Sequence, residues 1–198
     1  MTTPSGKVRS FIAIPAPGEW TLALEETVKR LDAKIGKDVR WVRPEGIHLT
    51  LKFMGDIQAE TVERVLAVLP EVTARFSPFT LFTAGMGVFP NPRRPRVLWA
   101  GVGGDLETLS VLQAAVDEAV GRLGLPKEQR AFSPHLTLGR VRRDVPDGRL
   151  ADIGRLVAGG ELPGLPPWTA DTVNLMRTEL DPAGSRHYLV GSALIGGG

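Results

Sequence analysis

The sequence predicts an α+β protein whose strands pair mainly in the antiparallel sense. Strand and helix patterns follow in the order β-α-β-β-α-β and then β-α-β-α-β-β, which indicates a duplicated α+β unit. Several strand candidates are joined by short turns, which favours antiparallel pairing over a doubly wound parallel sheet. The pattern His-Leu-Thr-Leu occurs once in each half, at residues 48–51 and 135–138. A fold that brings the two copies together would form a cleft between the halves.

Four strands and two helices are predicted in the first half. Strands are marked by short apolar or alternating runs, and helices by apolar residues at a spacing of three and four. Proline and glycine mark where most of these elements end. The predicted elements are strand Arg9–Ile14, helix Glu19–Ile35, strand Asp38–Val42, strand Ile47–Met54, helix Ala59–Leu69 ended by Pro70, and strand Phe79–Ala84.

The second half follows a loop over Gly85–Arg96. Its most regular element is a helix over Asp105–Leu123, for which Asp105 is the predicted N-cap and Gly124 the C-cap. The other predicted elements are strand Val97–Val102, strand Phe132–Val141, helix Pro146–Ala158, and strands Thr169–Glu179 and His187–Ile195 joined by a turn at 181–184.

Composition narrows the possible classes of protein. The 198 residues are 42% hydrophobic and 23% charged, with a net charge of +2, which is typical of one globular domain spanning residues 1–198. The chain has no cysteine, which excludes a disulfide scaffold, a thiolate nucleophile and cysteine-ligated metal. No apolar run approaches the ~18 residues of a membrane span. We expect a cytoplasmic monomer with no membrane partner.

Each copy of the repeated pattern alternates polar and apolar side chains. In a strand, alternation places the histidine and threonine on one face and both leucines on the other. His48 and Thr50 are therefore predicted to stand above a core that contains their leucines, and His135 and Thr137 likewise. The two copies together would present two imidazoles and two hydroxyl groups to one cleft.

Two histidines in one cleft suit acid–base chemistry. An imidazole with a pKa of roughly 6.5 can give or take a proton near neutral pH. One neutral and one protonated ring can act as base and acid, while hydroxyl donors contact an anion. Arg140 lies five residues after His135, and its guanidinium could bind a phosphate with two hydrogen bonds. These groups favour phosphoryl transfer.

These residues resemble the two signature motifs of the two-histidine phosphoesterases. The first motif is His48–Leu51, and the second is Ser133–Arg140, in which Ser-Pro precedes the histidine and Gly-Arg follows the last leucine. The closer resemblance is to the RNA 2′,3′-cyclic phosphodiesterases, also called 2′-5′ RNA ligases. Resemblance extends to the opening strand at 9–15 and to the closing strands around 177–180 and 187–188.

The resemblance implies a fold of two pseudo-symmetric lobes around a central cleft, each a mainly antiparallel sheet with outer helices. It implies hydrolysis of RNA 2′,3′-cyclic phosphate ends to 2′-phosphomonoesters, without metal or cofactor, and the reverse 2′-5′ ligation. His48 would be the general acid and His135 the general base. Thr50, Thr137 and Arg140 would bind the phosphate oxygens, and the partner would be an RNA or nucleotide with a cyclic phosphate.

Two other functions remain open on the residues alone. A metallohydrolase would use the histidines as ligands, although neither motif contains a carboxylate to complete the site. A non-catalytic RNA-binding module would keep the fold without turnover. His187 lacks the motif context, so we predict a structural role for it. Phe11, Phe53, Phe89 and Trp99 are candidates for stacking on a base, with core packing as the alternative.

Overall fold

A computed structural model describes residues 6–181 and 184–197 of the chain. The predicted α+β class is confirmed. The strands are β1 Lys7–Pro15, β2 Val39–Trp41, β3 His48–Gln58, β4 Phe79–Phe89, β5 Val97–Gly104, β6 His135–Val141, β7 Trp168–Ala170, β8 Thr172–Asp181 and β9 Gly184–Leu194. The helices are α1 Gly18–Ile35, α2 Ala59–Thr73, α3 Leu106–Arg122 and α4 Asp147–Ala158. None of the helices in the described residues is long and apolar enough to cross a membrane.

One sheet runs through both lobes. Its strand order is β7-β4-β5-β6-β3-β1-β8-β9, with β2 added to β6, and every pairing is antiparallel. The two motif strands, β3 and β6, are neighbours at its centre and are joined by the single pair Leu49–Leu136. Strand β8 pairs with β1, and β9 pairs with β8. The lobe that contains His48 is therefore built from both ends of the chain.

The apolar core lies beneath the two motifs. Leu49, Leu51, Leu136 and Leu138 are all buried, as the alternation predicts. They belong to one cluster that spans both lobes and includes the buried faces of α1, α2 and α3. Because each leucine is fixed in this core, the neighbouring histidine and threonine are directed to the opposite face of the sheet.

Strand β3 departs from simple alternation after Leu51. Between Thr50 and Lys52 it carries one residue more than its partner β1, which forms a β-bulge. The bulge turns Lys52 into the interior, where its side chain is 4% exposed and its Nζ donates to Asp117 Oδ1 at 2.5 Å. Phe53 takes the place on the cleft face that regular alternation would give to Lys52.

Several element boundaries differ from the sequence-based prediction; the second motif strand, for example, begins at His135 and not at Phe132. Helix α2 continues through Pro70 to Thr73. The proline removes only one backbone donor, and the burial of the Val72 and Thr73 side chains favours the last turn. Strand β4 continues beyond Ala84 through a bulge at Gly85, whose φ of 70° suits glycine. The predicted strand Thr169–Glu179 is divided at residue 171 into β7 and β8.

The predicted caps of α3 are confirmed at its start. Asp105 accepts a hydrogen bond from the Thr108 backbone N–H at 3.0 Å, as an N-cap does. The helix ends at Arg122 with Leu123 as its C-cap, so the predicted C-cap Gly124 lies one residue further on, where it has a φ of 89°. The turn predicted at 181–184 includes residues 182 and 183, which lie outside the described residues.

Candidate active site

A cleft of about 430 Å³ opens above the two motif strands. It is lined by side chains from β1, β2, β3, β6, β8 and β9, so strands of both lobes contribute. Four arginines and two histidines line it, and no carboxylate does so within the described residues. The lining residues are Arg9, Phe11, Arg40, Trp41, Val42, Arg43, Gly46, His48, Thr50, Phe53, Thr137, Arg140, Thr178, Leu180, Ser185 and His187.

The two motifs are related by an approximate two-fold axis through the Leu49–Leu136 pair. Because β3 and β6 run antiparallel, His48 stands level with Thr137, and Thr50 stands level with His135. Each histidine therefore faces the threonine of the other motif. Both rings and both hydroxyls are half-buried at this point of the sheet.

His48 is held between two other rings. It stacks on Phe11 with centroids 4.5 Å apart and an interplanar angle of 24°. The ring of His187 meets it edge-on with centroids 5.3 Å apart. The pKa of His48 is lowered to about 4, mainly by burial and next by the like charge of His187, while a hydrogen bond to the Gly46 carbonyl opposes the shift. At neutral pH His48 is therefore neutral.

His135 has a defined tautomer. Its Nδ1 lies 2.7 Å from the Ser133 carbonyl oxygen, and because a carbonyl only accepts, Nδ1 carries the proton. The lone pair is then on Nε2, as a general base requires. Burial lowers the pKa of His135, and the charge of Arg140 lowers it further. The ring contacts the edge of Phe89 and lies beside the residues that line the cleft.

Thr50, Thr137 and Arg140 are the residues predicted to bind phosphate oxygens. All three line the cleft, the threonines half-buried and the arginine exposed. Arg140 has no ion-pair partner in the described part of the chain, so its charge is available to an anion. The structure thus places four of the five predicted residues in the cleft lining and the fifth, His135, beside them.

His187 is a cleft residue that the sequence reasoning placed among the structural ones. It lines the cleft, contacts His48 and Phe11, and its Nδ1 lies 3.0 Å from Thr178 Oγ1. Thr178 and His187 are cross-strand partners in the hairpin of β8 and β9. The signal that could have revealed this position is the register of that hairpin rather than a motif.

The four aromatic candidates fall into two groups. Phe11 is buried against His48, and Phe53 is 49% exposed, with the Arg9 guanidinium 4.8 Å from its ring centroid. Phe89 and Trp99 pack against each other with centroids 5.2 Å apart, on the His135 side of the sheet. Phe53 is therefore the member of the set with a free face at the cleft.

The cleft residues do not form a metal-binding cluster. Across residues 6–181 and 184–197, no group of three or more His, Asp or Glu side chains is arranged to hold a metal ion. The chemistry available at the cleft is that of imidazoles, hydroxyls and guanidinium groups.

Comparisons with known proteins point to one family. The family model described as LigT-like phosphoesterase matches residues 14–99 and 104–187. An RNA 2′,3′-cyclic phosphodiesterase of Methanothermobacter thermautotrophicus is 35% identical over 181 residues, covering 90% of this chain and 94% of the relative. Its counterpart in Archaeoglobus fulgidus is 38% identical over 148 residues, covering 75% and 80%.

Solved structures show the same fold. A protein of Thermus thermophilus matches with a TM-score of 0.79 and 27% identity, covering 96% of this chain and 98% of that one. Escherichia coli LigT in complex with 3′-AMP matches with a TM-score of 0.70 at 24% identity, covering 96% and 98%. With both motifs inside the matched segments, the chain belongs to the LigT-like phosphoesterase family.

Proposed function

We propose that this protein hydrolyses 2′,3′-cyclic phosphate ends of RNA to 2′-phosphomonoesters. The observation that carries the proposal is the pairing of the two motifs across Leu49 and Leu136, which sets one histidine and one threonine from each lobe around a single point. The curated relatives that match most of the chain are named RNA 2′,3′-cyclic phosphodiesterases, and this supports the substrate class.

His135 acts as the general base in this proposal. Its Nε2 takes a proton from water as the water oxygen forms a bond to phosphorus. The Nδ1 bond to Ser133 holds the ring in the tautomer that this step needs. The bond from phosphorus to the ribose 3′ oxygen breaks on the opposite side, which leaves the phosphate on the 2′ oxygen.

His48 acts as the general acid and protonates the departing 3′ oxygen. With a pKa of about 4, His48 is mostly neutral at pH 7 before substrate binds. A bound phosphodiester anion favours the charged imidazolium by Coulomb attraction, and so raises this pKa. Substrate binding thereby favours the protonated form of His48, which the reaction needs. After the reaction both rings return to their starting states by proton exchange with solvent.

Thr50, Thr137 and Arg140 bind the non-bridging oxygens. The two hydroxyls come from opposite sides of the pseudo-two-fold axis, and the guanidinium supplies positive charge. Donors placed where charge develops stabilise the transition state more than the ground state. The same site run in reverse joins a 2′,3′-cyclic phosphate to a 5′ hydroxyl and forms a 2′-5′ linkage.

We further propose that residues 1–198 act as one two-histidine phosphoesterase domain, as a monomer, in the cytoplasm. Light scattering coupled to size-exclusion chromatography tests the oligomeric state, because a dimer would give twice the 21.3 kDa mass of the chain.

The deciding experiment is incubation with adenosine 2′,3′-cyclic phosphate, followed by separation of the 2′- and 3′-phosphate products. Accumulation of adenosine 2′-phosphate, unchanged by excess chelator, supports the proposal. A 3′-phosphate product would contradict the choice of leaving oxygen. Activity lost in chelator and restored by one metal would favour a metallohydrolase, and binding of RNA without turnover would favour a binding module.

A further inference from the structure

Two arginines stand directly opposite each other at one end of the cleft. Arg40 on β2 and Arg140 on β6 are cross-strand partners, and both side chains line the cleft. Cross-strand partners have Cβ atoms about 4.5–5.5 Å apart, and like charges in that relation destabilise a sheet. An arrangement of this kind is favourable when an anion lies between or beside the two groups.

The backbone fixes this pair in place. Strand β2 is short and pairs with β6 alone, with Val39 opposite Val141 and Trp41 opposite Gly139. A Cβ at Gly139 would lie 2.6 Å from Val39 Cγ1 and 2.8 Å from the Trp41 ring, so glycine permits this close packing. The docking of β2 across Gly139 therefore sets Arg40 beside Arg140.

Neither guanidinium is neutralised within the described residues. No ion pair there includes Arg40 or Arg140, and no carboxylate lines the cleft. Two arginines outside the cleft are paired by contrast, Arg94 with Asp147 and Arg149 with Asp38. The chain as a whole carries only +2, so positive charge is concentrated at this end of the cleft.

The pair also lies some distance from the centre of the proposed reaction. Arg140 is three residues beyond Thr137 on the same strand, which is roughly 10 Å at the usual rise of a β-strand. The long side chain of Arg140 can extend back toward the phosphate held by the two threonines. Arg40 lies on the edge strand beyond it, where a further phosphate of a nucleic acid strand would run.

We infer that Arg40 binds a second phosphate, the internucleotide phosphate next to the reacting one. This inference rests on the proposed function and names its substrate more closely. The preferred substrate is then an oligoribonucleotide with a cyclic phosphate end, rather than a mononucleotide that has one phosphate. Arg40 then determines substrate specificity, and Arg140 binds both phosphates.

The test compares two substrates in three proteins. The substrates are adenosine 2′,3′-cyclic phosphate and a tetranucleotide that ends in a 2′,3′-cyclic phosphate. The proteins are the wild type, Arg40→Gln, and Arg64→Gln as a matched control, because Arg64 is an exposed arginine of α2 away from the cleft. Arg40→Gln is expected to lower kcat/KM for the tetranucleotide about tenfold more than for the mononucleotide, the usual worth of one charged hydrogen bond.

A binding measurement keeps this inference separate from the proposed function. A fluorescent tetranucleotide that ends in a 2′-phosphate is titrated by anisotropy at several salt concentrations. Loss of one phosphate contact is expected to reduce the slope of log affinity against log salt by about 0.7 in Arg40→Gln. The slope is expected to be the same in Arg64→Gln and in the wild type.

The outcomes are distinct. Equal losses on both substrates would mean that Arg40 serves the reacting phosphate and would overturn the inference, as would an unchanged salt slope. If the wild type turns over neither substrate, the proposed function fails. The salt slope then decides alone whether Arg40 holds a second phosphate.

Discussion

The imidazole of His187 meets that of His48 edge to face, with centroids 5.3 Å apart and ring planes at 89°. Both rings also contact Phe11, at 5.0 Å and 4.5 Å between centroids. The three rings form one cluster on β1, β3 and β9. A change in the charge of His187 therefore changes the pKa of His48, the proposed general acid.

Replacing His187 should raise the pKa of His48. The like charge of His187 opposes protonation of His48, so His187→Gln removes one cause of the lowered value. Titration of the histidine ring protons by NMR measures the change. His187→Phe serves as the matched control, since it removes the charge and keeps more of the burial, and should raise the pKa less. An unchanged or lower pKa in His187→Gln would contradict this coupling.

The pH dependence of kcat/KM should be a bell centred on the acid side of pH 6.5. This parameter reports the groups of the free enzyme, in which the pKa of His48 is lowered to about 4 and that of His135 is also lowered, in both cases mainly by burial. The proposed mechanism needs His48 protonated and His135 neutral. The bell for kcat should lie at higher pH, because the bound anion favours protonated imidazole. Initial rates from pH 3.5 to 9 test both, and a kcat/KM optimum above pH 8 would argue against the two histidines as acid and base.

Removing either motif histidine should abolish most of the turnover. His48→Ala and His135→Ala are each expected to lower kcat by roughly 10²–10⁴, the usual contribution of general acid–base catalysis. The double variant should lose little more than the worse single variant, because the two groups act in one step. Circular dichroism should show the fold retained. A single variant with the wild-type rate on adenosine 2′,3′-cyclic phosphate would exclude that histidine from the mechanism.

His48 should make the folded state less stable in acid. Its pKa is about 4 in the folded protein against about 6.5 in an unfolded chain. The unfolded chain therefore binds more protons, and stability that is present above pH 6.5 is lost as the pH falls toward 4. At 1.36 kcal/mol per pKa unit this amounts to about 3 kcal/mol. The free energy of unfolding is measured in urea at pH 7 and at pH 4. Its decrease between the two should be smaller by that amount in His48→Gln than in the wild type, and equal decreases would refute the assignment.

The buried ion pair of Lys52 should matter more than exposed pairs. Lys52 Nζ donates to Asp117 Oδ1 and, at 2.6 Å, to the Pro126 carbonyl. Asp117→Ala leaves a buried ammonium without its counter-ion and should cost about 3–5 kcal/mol. The control is Lys29→Met, which removes an exposed pair with Glu25 and Glu26 and should cost less than about 1 kcal/mol. Urea unfolding measures both losses of stability. Similar losses in the two variants would show that the buried pair of Lys52 contributes no more than an exposed pair.

The side of the sheet on which each motif side chain lies was predictable, because alternation along a single strand determines it. A single period-two pattern buries Leu49 and Leu136 and directs His48 and His135 to the other face. The position of Phe53 was not predictable in this way, since it depends on a bulge that only pairing with β1 creates. His187 and Arg40 depend on the partner strands of β9 and β2, which the sequence does not specify. The low pKa of His48 arises mainly from burial by neighbours that are distant along the chain.

The return of β8 to β1 has a consequence for synthesis on the ribosome. Arg9 pairs with Thr178, whereas strands β4 to β7 form a contiguous stretch of chain. At about 5–20 residues per second, β1 leaves the ribosome roughly ten to thirty seconds before its partner. The lobe around His135 can assemble while the nascent chain is still growing. The lobe around His48 must wait for the last strands, so a stalled or truncated chain would expose the unpaired edge of β1.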